Sequence, residues 1–370
     1  MNVVLASVLK PVDDSRVYQK IGQSIAKIQN TNIQILGTEN DGIPSCLPNI
    51  TFVPLFSNHK KEAFFRIKGN KRFFSFLKSQ KNIDLIIIHT IELLPALVFY
   101  KKLNPNVKII YDMLENYPLN FKSQIYRSAW KSKVLSFLSH QIEVFSFQYL
   151  DHIFSAETTY LKEKQLPLYK TTVLENKYAG KLFNTIPSTD HLHFVICGSL
   201  TRVFGINEAI KFIELLNSCK KQPVTIKFTV IGKAYESDII EKLKKINQVH
   251  NVECIGITDF IPHSKIIKEM LTASYLLLSY PENPCTKNCI PTKMYEGLAL
   301  GIPMIIQNNS LWEEITTPTN SSIFIDFNKK SDILSIFDKI QTHKPYRKGP
   351  DKNALWKSEE EKLLNVIQTL

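Results

Sequence analysis

The sequence lacks the features that mark membrane-spanning or secreted proteins. None of its apolar runs reaches the roughly 18 uncharged residues that a membrane-spanning helix needs. The first residues, MNVVLASVLKPVDDSR, have too short an apolar part for a signal peptide, and acidic residues follow it. We therefore expect a cytoplasmic protein, either free or peripheral on the inner face of the cytoplasmic membrane.

Cysteine is scarce, and two common motifs are missing. The chain has six cysteines in 370 residues. Only Cys285 and Cys289 lie close together, and no second pair completes a zinc site, so all six are interpreted as reduced core or loop residues. No G-x-G-x-x-G run follows the first strand-like run of either half, which disfavours a dehydrogenase.

The composition is that of a globular chain with a basic excess. It is 44% hydrophobic and 22% charged, and its length suits two domains of about 150–200 residues each. The chain has 46 Lys and Arg against 34 Asp and Glu, a net charge of +12. This charge suggests an anionic partner such as a nucleotide, a nucleic acid or a membrane surface, although a solvated basic surface would give the same value.

Apolar, strand-like runs alternate with longer amphipathic stretches along the whole chain. The predicted strands are 2–8, 33–37, 50–55, 84–90, 107–113, 152–156, 171–176, 193–199, 226–232, 252–257, 275–280, 303–307 and 322–326. Because these runs are nearly continuous in β-branched and other apolar residues, we expect parallel sheets buried on both faces and joined by helices. The series restarts after the polar stretch 176–193, which predicts a linker near 185–190.

The predicted fold class is therefore α/β, with two doubly wound domains facing each other across a cleft. Such domains bind ligands at the carboxyl ends of their strands, so the cleft is the expected active site. The predicted segments are 1–185, 186–345 and a C-terminal segment, 346–370, that contains an amphipathic helix. The apolar stripe of this helix is formed by Leu355, Trp356, Leu363, Leu364 and Ile367.

The run CIPTKMYEGLALGIPMI, residues 289–305, predicts a short helix between two apolar strands. Pro291 suits the first helical position, and Gly301 suits the residue just past the end. The N-terminus of such a helix favours a phosphate, and Lys293 adds a full positive charge. Glu296 lies one turn later, where its carboxylate can accept hydrogen bonds from ribose hydroxyls. The alternative is that Lys293 and Glu296 form only a surface ion pair on a capped helix.

With Asn288 before it, this run resembles the nucleotide-sugar motif of retaining glycosyltransferases of the GT-B fold, family 4. In that motif, a glutamate, seven residues and a second glutamate are followed by a small helix and G-x-P-V-I. Glu296 matches the second glutamate, which the resemblance implies binds the ribose. Asn288 stands at the position of the first, which contacts the donor sugar in the strict motif.

Further segments resemble the same family in the same order. They are LKPVDDSRVYQKIGQSIAK (9–27), IIIHTIELLPAL (86–97), KIIYDMLENYP (108–118), VLEN (173–176), VICGSLTRVFGINEAIKFIELL (195–216) and FTVIGK (228–233). Leu114 stands where the family usually has a histidine, and Phe204 stands where it has a lysine. In relatives the C-terminal helix crosses back onto the first domain, and 351–370 can do the same.

The resemblance implies a hexosyltransferase-type glycosyltransferase. It would move a sugar from a nucleotide diphosphate sugar to a glycan or lipid-linked acceptor with retention, in bacterial surface polysaccharide biosynthesis. The sequence has no D-x-D motif of the metal-dependent transferases, and neither a metal ion nor another cofactor is expected. The first domain would bind the acceptor and the second domain the nucleotide sugar.

The resemblance and the loop positions together suggest the site residues. The expected donor-binding residues are Gly198, Ser199, Arg202, Lys233, Asn288, Pro291, Thr292, Lys293 and Glu296. The expected acceptor-binding residues, which carry loop charges or end a strand, are Asp14, Arg16, His89, Asp112 and Glu115. Catalytic roles are expected for Lys293, Glu296, His89 and Glu115, with cations and N–H donors opposing the charge on the departing diphosphate. His89 has the alternative of a structural role, and Asp14 that of a helix cap.

Two basic segments rich in aromatic residues, 59–81 and 121–149, suit an anionic membrane surface. Their phenylalanines have the alternative of a place in the core, with the lysines at its rim. No nucleic-acid motif accompanies these segments, so a nucleic-acid partner is not expected. Two other functions stay open: a nucleotide-sugar epimerase of the same fold, and an inactive transferase-like binding protein, which Asn288 and Leu114 favour.

Overall fold

The computed structural model describes residues 1–39, 46–56, 63–123, 128–185, 191–218, 224–329 and 333–370, without the side chains of 63–67 and 123. The chain divides into two compact units. The first consists of Met1–Ala179 together with Trp356–Leu370, and the second consists of Gly180–Leu355.

The first unit contains a seven-stranded parallel sheet. Its strands are β1 (Asn2–Pro11), β2 (Asn32–Thr38), β3 (Ile50–Phe56), β4 (Leu85–Ile88), β5 (Lys108–Met113), β6 (His152–Ser155) and β7 (Thr171–Val173). They are ordered β3-β2-β1-β4-β5-β6-β7, and every neighbouring pair is parallel. The direction of winding reverses between β1 and β4.

The second unit contains a six-stranded parallel sheet. Its strands are β8 (His191–Leu200), β9 (Thr225–Ala234), β10 (Val252–Ile257), β11 (Tyr275–Leu278), β12 (Met304–Gln307) and β13 (Ser322–Ile325). They are ordered β10-β9-β8-β11-β12-β13, again with parallel neighbours, and winding reverses between β8 and β11. Each strand predicted from the sequence is present, and two doubly wound α/β sheets are confirmed.

Helices connect the strands. In the first unit they are a π-helical segment, Ser15–Gly22, that continues as α1 (Gln23–Ile25), then α2 (Ala63–Ser79), α3 (Leu94–Leu103), α4 (Tyr117–Ser123), α5 (Ala129–Phe147), α6 (Tyr160–Glu163) and, at the end of the chain, α13 (Lys357–Thr369). In the second unit they are α7 (Ile206–Ser218), α8 (Ser237–Ile246), α9 (His263–Met270), α10 (Thr292–Leu300), α11 (Ser310–Thr316) and α12 (Ile333–Thr342). Short 3-10 turns span Ile91–Leu93, Leu168–Lys170, Arg202–Phe204, Thr317–Thr319 and Lys352–Ala354. Within the described ranges, no helix has the length and apolarity needed to cross a membrane.

The central strands are buried along their length, as continuous apolar runs in a covered parallel sheet require. All four residues of β4, of β11 and of β12 are buried. Polar residues appear where these strands end, so the chemistry available to each unit is concentrated at the carboxyl edge of its sheet.

The C-terminal helix α13 packs into the first unit. Trp356, Leu363 and Ile367 belong to the apolar core that contains β1 and the N-terminal helix. The Trp356 backbone N–H donates to the Tyr178 carbonyl over 2.7 Å, and its indole N–H donates to Ser24 Oγ over 3.0 Å. The last residues therefore complete the core of the first unit.

The chain passes from one unit to the other after Ala179 and again after Leu355, whereas the predicted boundaries lie after residues 185 and 345. The N–H groups of Phe183 and Thr185 donate to carbonyls at the end of α10, so this segment already belongs to the second unit. The buried Tyr346 hydroxyl lies 3.0 Å from the Gly297 carbonyl oxygen and 2.9 Å from that of Ile302, and its single O–H can donate to either. This contact holds the chain in the second unit beyond residue 346. Residues 186–190 of the predicted linker lie outside the described residues.

The two basic segments differ in how their aromatic residues pack. Residues 59–62 and 124–127 lie outside the described residues, as do the side chains of 63–67. On α2, Phe73 is buried, and Phe74 and Phe76 are half-buried. On α5, by contrast, Trp130 and Phe137 are 72% and 61% exposed. The described phenylalanines of the first segment therefore belong to the core or its edge, whereas the second segment presents apolar side chains to solvent.

Candidate functional site

The winding reversal of the second sheet brings together polar loops from both of its halves. The connections from β8 and from β11 run to opposite sides of the sheet. Loops that diverge in this way leave a crevice at the carboxyl ends of the strands, the usual ligand position in doubly wound sheets. A narrow pocket at this point is lined in part by Cys197, Ser199, Phe204, Tyr280 and Lys293.

Two glycines allow the backbones around this crevice to approach closely. Gly205 has a φ of +79°, and a Cβ atom there would lie 1.9 Å from the Ser279 carbonyl oxygen. Gly232 has a φ of +150°, and its Cβ would lie 1.8 Å from the Gly198 carbonyl oxygen. The Ser279 hydroxyl donates to the Gly205 carbonyl over 2.7 Å. Side chains are therefore excluded at both positions, and the loop after β8 is held against the end of β11.

Helix α10 begins one residue later than the sequence predicts. Pro291, expected at the first helical position, is the N-cap residue, and Thr292 is the first helical residue. A proline ring has no atom that could accept a hydrogen bond, and no side chain caps this end within the described chain. The first N–H groups and the positive end of the helix dipole therefore remain suited to an anion. Gly301 ends the helix in the left-handed conformation, with a φ of +67°, as predicted.

A buried carboxylate lies one turn inside α10, between two basic side chains. Lys293 Nζ donates to Glu296 Oε2 over 2.7 Å. His263 Nε2, from the first position of α9, donates to Glu296 Oε1 over 2.9 Å. Glu296 is 8% exposed and Lys293 13%, so the pair is not a solvated surface pair. The two side chains therefore form the i, i+3 ion pair of the predicted alternative, but the pair is buried and does not lie on the surface.

The same partners control the ionisation of Glu296. Burial alone would raise its pKa, but the ammonium of Lys293 and the hydrogen bond from His263 lower the pKa from 4.5 to about 2. The carboxylate is therefore ionised at neutral pH and can act only as a hydrogen-bond acceptor. Hydroxyl groups such as those of a ribose are suitable donors to it.

The side chain of Lys293 extends over the carboxyl end of β8. A Cβ atom built on Gly198 would lie 3.6 Å from Lys293 Cε, so the side chain runs beside the Gly198–Ser199 backbone. Its ammonium group, the start of α10 and the end of this strand converge on one region. Converging cations and backbone N–H groups form the kind of site that binds a diphosphate.

An aromatic cluster supports the loop between β11 and α10. Tyr280 packs against Trp312 with ring centroids 5.7 Å apart and against Phe204 at 5.3 Å. The Trp312 indole N–H donates to the Cys289 carbonyl over 2.8 Å, two residues before the N-cap of α10. These contacts fix the approach of the loop to the helix. Asn288 is exposed on the same loop.

Two predicted donor-site cations make other contacts. Arg202 forms ion pairs with Asp238 of α8 and with Glu236, the latter at 3.3 Å, and its side chain is 53% exposed. Lys233 lies opposite Ser199 in the β8–β9 register, and its Nζ lies 6.0 Å from the ring centroid of Tyr235. The register therefore keeps Lys233 close to the carboxyl end of β8, whereas the two carboxylates attract Arg202 toward α8.

In the first unit, three predicted acceptor-side residues form one buried cluster at the β1–β4 reversal. Arg16 makes a bidentate ion pair with Asp112, with Nε to Oδ2 at 2.9 Å and Nη2 to Oδ1 at 2.6 Å. His89 Nδ1 lies 2.8 Å from Asp112 Oδ2. The side chains are 2%, 0% and 0% exposed for Arg16, Asp112 and His89. Burial alone would raise the pKa of Asp112, but the charge and hydrogen bonds of Arg16, together with His89, hold it well below its usual range.

The prediction that Arg16 and Asp112 are loop charges is therefore wrong. Asp112 lies within β5, and Arg16 lies in the first turn of the N-terminal helix and donates to the Leu174 carbonyl. Each charge neutralises the other, which permits their burial. Three buried atoms here have no hydrogen-bond partner among the described residues: Ser7 Oγ, Arg16 Nη1 and His89 Nε2.

Asp14 and Glu115 have other positions. Asp14 Oδ1 accepts hydrogen bonds from the N–H groups of Arg16 and Val17, so it caps the N-terminal helix, the alternative role named above. Glu115 is exposed and accepts a hydrogen bond from Asn120 over 2.9 Å. No hydrogen bond or ion pair in the described part of the chain joins Glu115 to the buried cluster.

His263 is not among the site residues predicted from the sequence. The signal for it is topological: α9 follows β10, so its first residue lies at the carboxyl edge of the sheet, where α10 also begins. Nothing in the sequence between residues 263 and 296 indicates that the two side chains meet. Their contact joins two helices that follow different strands of the sheet, β10 and β11.

Comparisons with known proteins show the fold. No protein-family model matches the chain, and no curated protein matches it in sequence. A sucrose-phosphate synthase from Thermosynechococcus elongatus is similar in structure, with a TM-score of 0.68 at 12% identity, covering 100% of this chain and 97% of that one. An α,α-trehalose-phosphate synthase (UDP-forming) from Burkholderia xenovorans gives 0.65 at 8%, covering 99% and 100%. The apo form of a lipopolysaccharide outer core galactosyltransferase gives 0.55 at 12%, covering 100% and 99%.

These matches extend over nearly the full length of both partners. They pair the two Rossmann-like units with those of glycosyltransferases of the GT-B fold. Because the sequence identities are this low, the matches show a shared fold and nothing more. The chain therefore has the GT-B fold that the sequence predicts.

The low pKa of Glu296 predicts how its contribution to stability depends on pH. A carboxyl whose pKa is 4.5 unfolded and about 2 folded stabilises the fold fully above pH 4.5 and loses this effect as pH falls toward 2. The difference in unfolding free energy between the native chain and Glu296→Gln should therefore narrow over this range, by on the order of 3 kcal/mol. Urea unfolding at a series of pH values measures it. A difference that stays constant with pH, or that is unaffected by Lys293→Met, would contradict this assignment.

The buried cluster of the first unit makes a second prediction. Asp112→Asn leaves the buried Arg16 without a counter-charge, and we expect a loss of about 3–5 kcal/mol of unfolding free energy. The matched control is Asp238→Asn, which removes one of the two carboxylate partners of the half-exposed Arg202 and should cost far less. Urea unfolding compares the two variants. Similar small losses in both would mean that Arg16 and Asp112 do not depend on each other.

Proposed function

We propose that the chain is a glycosyltransferase that uses a nucleotide diphosphate sugar as donor. The observation that carries this proposal is the arrangement of Lys293, Glu296 and the start of α10 at the winding reversal of the second sheet. The glycosyltransferases that share the fold support it. The sugar would be a hexose, and the match of residues 288–305 to the family 4 motif favours transfer with retention.

In this proposal the second unit binds the nucleotide. The helix N-terminus and Lys293 receive the diphosphate, and Glu296 accepts hydrogen bonds from the ribose hydroxyls. Ribose would displace Lys293 from Glu296 Oε2, which frees the ammonium for the phosphate, while His263 keeps the carboxylate in place. Gly198, Ser199 and Lys233 border the diphosphate on the β8 side, and Asn288, Pro291 and Thr292 border it on the α10 side. Arg202 would join only by leaving Glu236 and Asp238.

Catalysis would rest on stabilising the departing diphosphate. Negative charge develops on its oxygens as the bond to the sugar breaks, and fixed cations and N–H groups oppose that charge without reorganisation. Lys293 and the N–H groups of α10 supply this effect. We propose no metal ion and no other cofactor for the step.

The first unit would bind the acceptor, which we propose is a glycan or a lipid-linked sugar of a bacterial surface polysaccharide. Because Asp112 accepts from His89 Nδ1–H, the neutral His89 ring has its lone pair on Nε2, which has no partner in the described residues. An acceptor hydroxyl is a suitable donor to that atom. Arg16 and Asp112 would position His89, and Asp14 would act only through the helix that it caps. Glu115 remains an acceptor-side proposal on an exposed loop.

An inactive, nucleotide-binding protein is the second candidate. It is favoured by the ion pairs that hold Arg202 toward α8 and by Phe204 and Asn288 at positions where relatives carry functional side chains. Both candidates bind the nucleotide, and only the first consumes a nucleotide sugar.

The test is a thermal-shift panel with UDP, GDP, ADP and their sugars. One nucleotide should raise the melting temperature of the native chain, because a ligand that binds only the folded state stabilises it. Glu296→Ala and Lys293→Met should each lose most of that shift. Glu314→Ala, an exposed carboxylate change on α11 in the same unit, is the matched control and should retain it.

The outcomes separate the candidates. Release of the nucleoside diphosphate from its sugar, with transfer to a glycan acceptor, supports the transferase. Nucleotide binding without turnover supports the binding protein. No shift with any nucleotide contradicts both.

A further inference from the structure

Helix α5 is amphipathic, but it buries its polar face and exposes its apolar face, the reverse of the usual arrangement. Its buried residues are Ser132, Ser136, Ser139, Glu143 and Ser146. Its large exposed residues are Trp130, Phe137, Leu138, Val144 and Phe145. At 100° per residue, the exposed apolar side chains fall within an arc of about 120° on the side opposite the serines. The helix therefore turns its apolar face to solvent.

Buried contacts fix this orientation. Glu143 lies fully buried, forms an ion pair with Lys164 and accepts a hydrogen bond from the Tyr111 hydroxyl. The Ser139 and Ser146 hydroxyls donate to carbonyls of the helix itself. Turning the apolar face inward would expose a satisfied ion pair and leave Lys164 buried without a partner, which is costly. The apolar exposure is thus a stable feature of the fold.

A neighbouring helix also exposes large apolar side chains. Helix α3 contacts both α2 and α5, and its Phe99 and Leu103 are 68% and 62% exposed. The ring of Phe99 meets Phe74 of α2 at a centroid distance of 6.5 Å. We call the solvent-exposed residues of α2, α3 and α5 together the α2–α3–α5 face.

The charge of this face has one sign. Its exposed basic residues are Lys68, Lys71, Arg72, Lys78, Lys102, Lys131 and Lys133. Among the described side chains of these three helices, no Asp or Glu is exposed, since Glu143 is buried. On α5, Lys131 and Lys133 project on either side of the apolar stripe, as the helical repeat requires. Apolar and aromatic side chains flanked by lysines are typical of a surface that inserts shallowly into an anionic bilayer.

We propose that the α2–α3–α5 face docks on an anionic bilayer surface, with Trp130, Phe137 and Phe145 entering the headgroup boundary and the lysines contacting lipid phosphates. Charge argues against a second copy as the occupant, because a two-fold contact would place the same cations against each other. Docking would bring the first unit to a lipid-linked acceptor, and only in this respect does it rest on the proposed function. Binding of the α2–α3–α5 face to a bilayer does not depend on the nucleotide site.

The test is co-sedimentation of the full chain with vesicles of phosphatidylcholine and phosphatidylglycerol in equal amounts. The native chain should bind these vesicles and should bind phosphatidylcholine alone far more weakly. The combined variant Trp130→Ser, Phe137→Ser, Phe145→Ser and the pair Lys131→Glu, Lys133→Glu should each weaken binding by at least about tenfold. High salt should weaken the native interaction as well.

Matched controls lie on the second unit. Tyr235→Ser with Val249→Ser changes exposed apolar residues, and Lys244→Glu with Lys245→Glu reverses two exposed charges of α8. Both should bind the vesicles like the native chain. Retention of the native melting temperature shows that each variant is folded, as the exposure of all the changed residues leads us to expect.

Three results would overturn the proposal: no binding of the native chain to anionic vesicles, equal binding by the α5 variants, or a vesicle-free dimer in sedimentation velocity that the α5 changes abolish. The last result would identify a second copy as the occupant. Stabilisation by a nucleotide is measured separately on the second unit. If the native chain does not bind anionic vesicles but is stabilised by a nucleotide, the docking surface alone is refuted. If it binds the vesicles but no nucleotide stabilises it, the proposed function alone is refuted.

Discussion

The second unit depends on one interaction, the holding of the Glu296 carboxylate between Lys293 and His263. A buried carboxylate without partners would protonate, because burial disfavours its charge. The two basic partners keep it ionised at neutral pH, so the start of α10 carries a fixed anion and a cation within one turn. The Glu296 carboxylate can accept hydrogen bonds from hydroxyls, and the Lys293 ammonium beside it can bind phosphate. Together they match the ribose and the diphosphate of a nucleoside diphosphate. Sheet topology determines where this site lies, because α10 begins where the winding reverses.

The first unit also contains a buried carboxylate, and there an arginine is the main counter-charge. Arg16 and Asp112 are fully buried and neutralise each other, and His89 shares the same carboxylate. The geometry fixes the imidazole while leaving Nε2 without a partner in the described residues. Each unit thus buries charge at the reversal of its own sheet, and in each a histidine contacts the buried carboxylate. The two clusters differ in exposure: His263 is 31% exposed, whereas His89 is completely buried.

Much of the fold could be predicted from the sequence, because strands buried on both faces need nearly continuous apolar runs. The ends of α10 were also close to predictable from Pro291 and Gly301, with an error of one residue at the start. Pairings between distant residues could not be predicted. Arg16 and Asp112 are 96 positions apart, and each read alone is only a charged residue near the end of a strand. For the same reason the contact of His263 with Glu296 could not be predicted.

The orientation of α5 shows another limit. Its sequence contains both a serine stripe and an apolar stripe at helical spacing, and hydrophobicity alone would bury the apolar one. The ion pair of Glu143 with Lys164, 21 positions away, selects the opposite face. Local pattern therefore predicts the helix, while a long-range charged contact decides which side meets solvent.

The most direct test of the central claim is a crystal structure of the second unit's site in the full chain, grown with the nucleoside diphosphate that stabilises it. Ribose hydroxyls should donate to Glu296, a phosphate oxygen should lie at Lys293 Nζ and the first N–H groups of α10, and His263 should still be bonded to the carboxylate. A nucleotide bound elsewhere, or one bound at α10 while Lys293 and Glu296 keep their mutual contact unchanged, would contradict this claim.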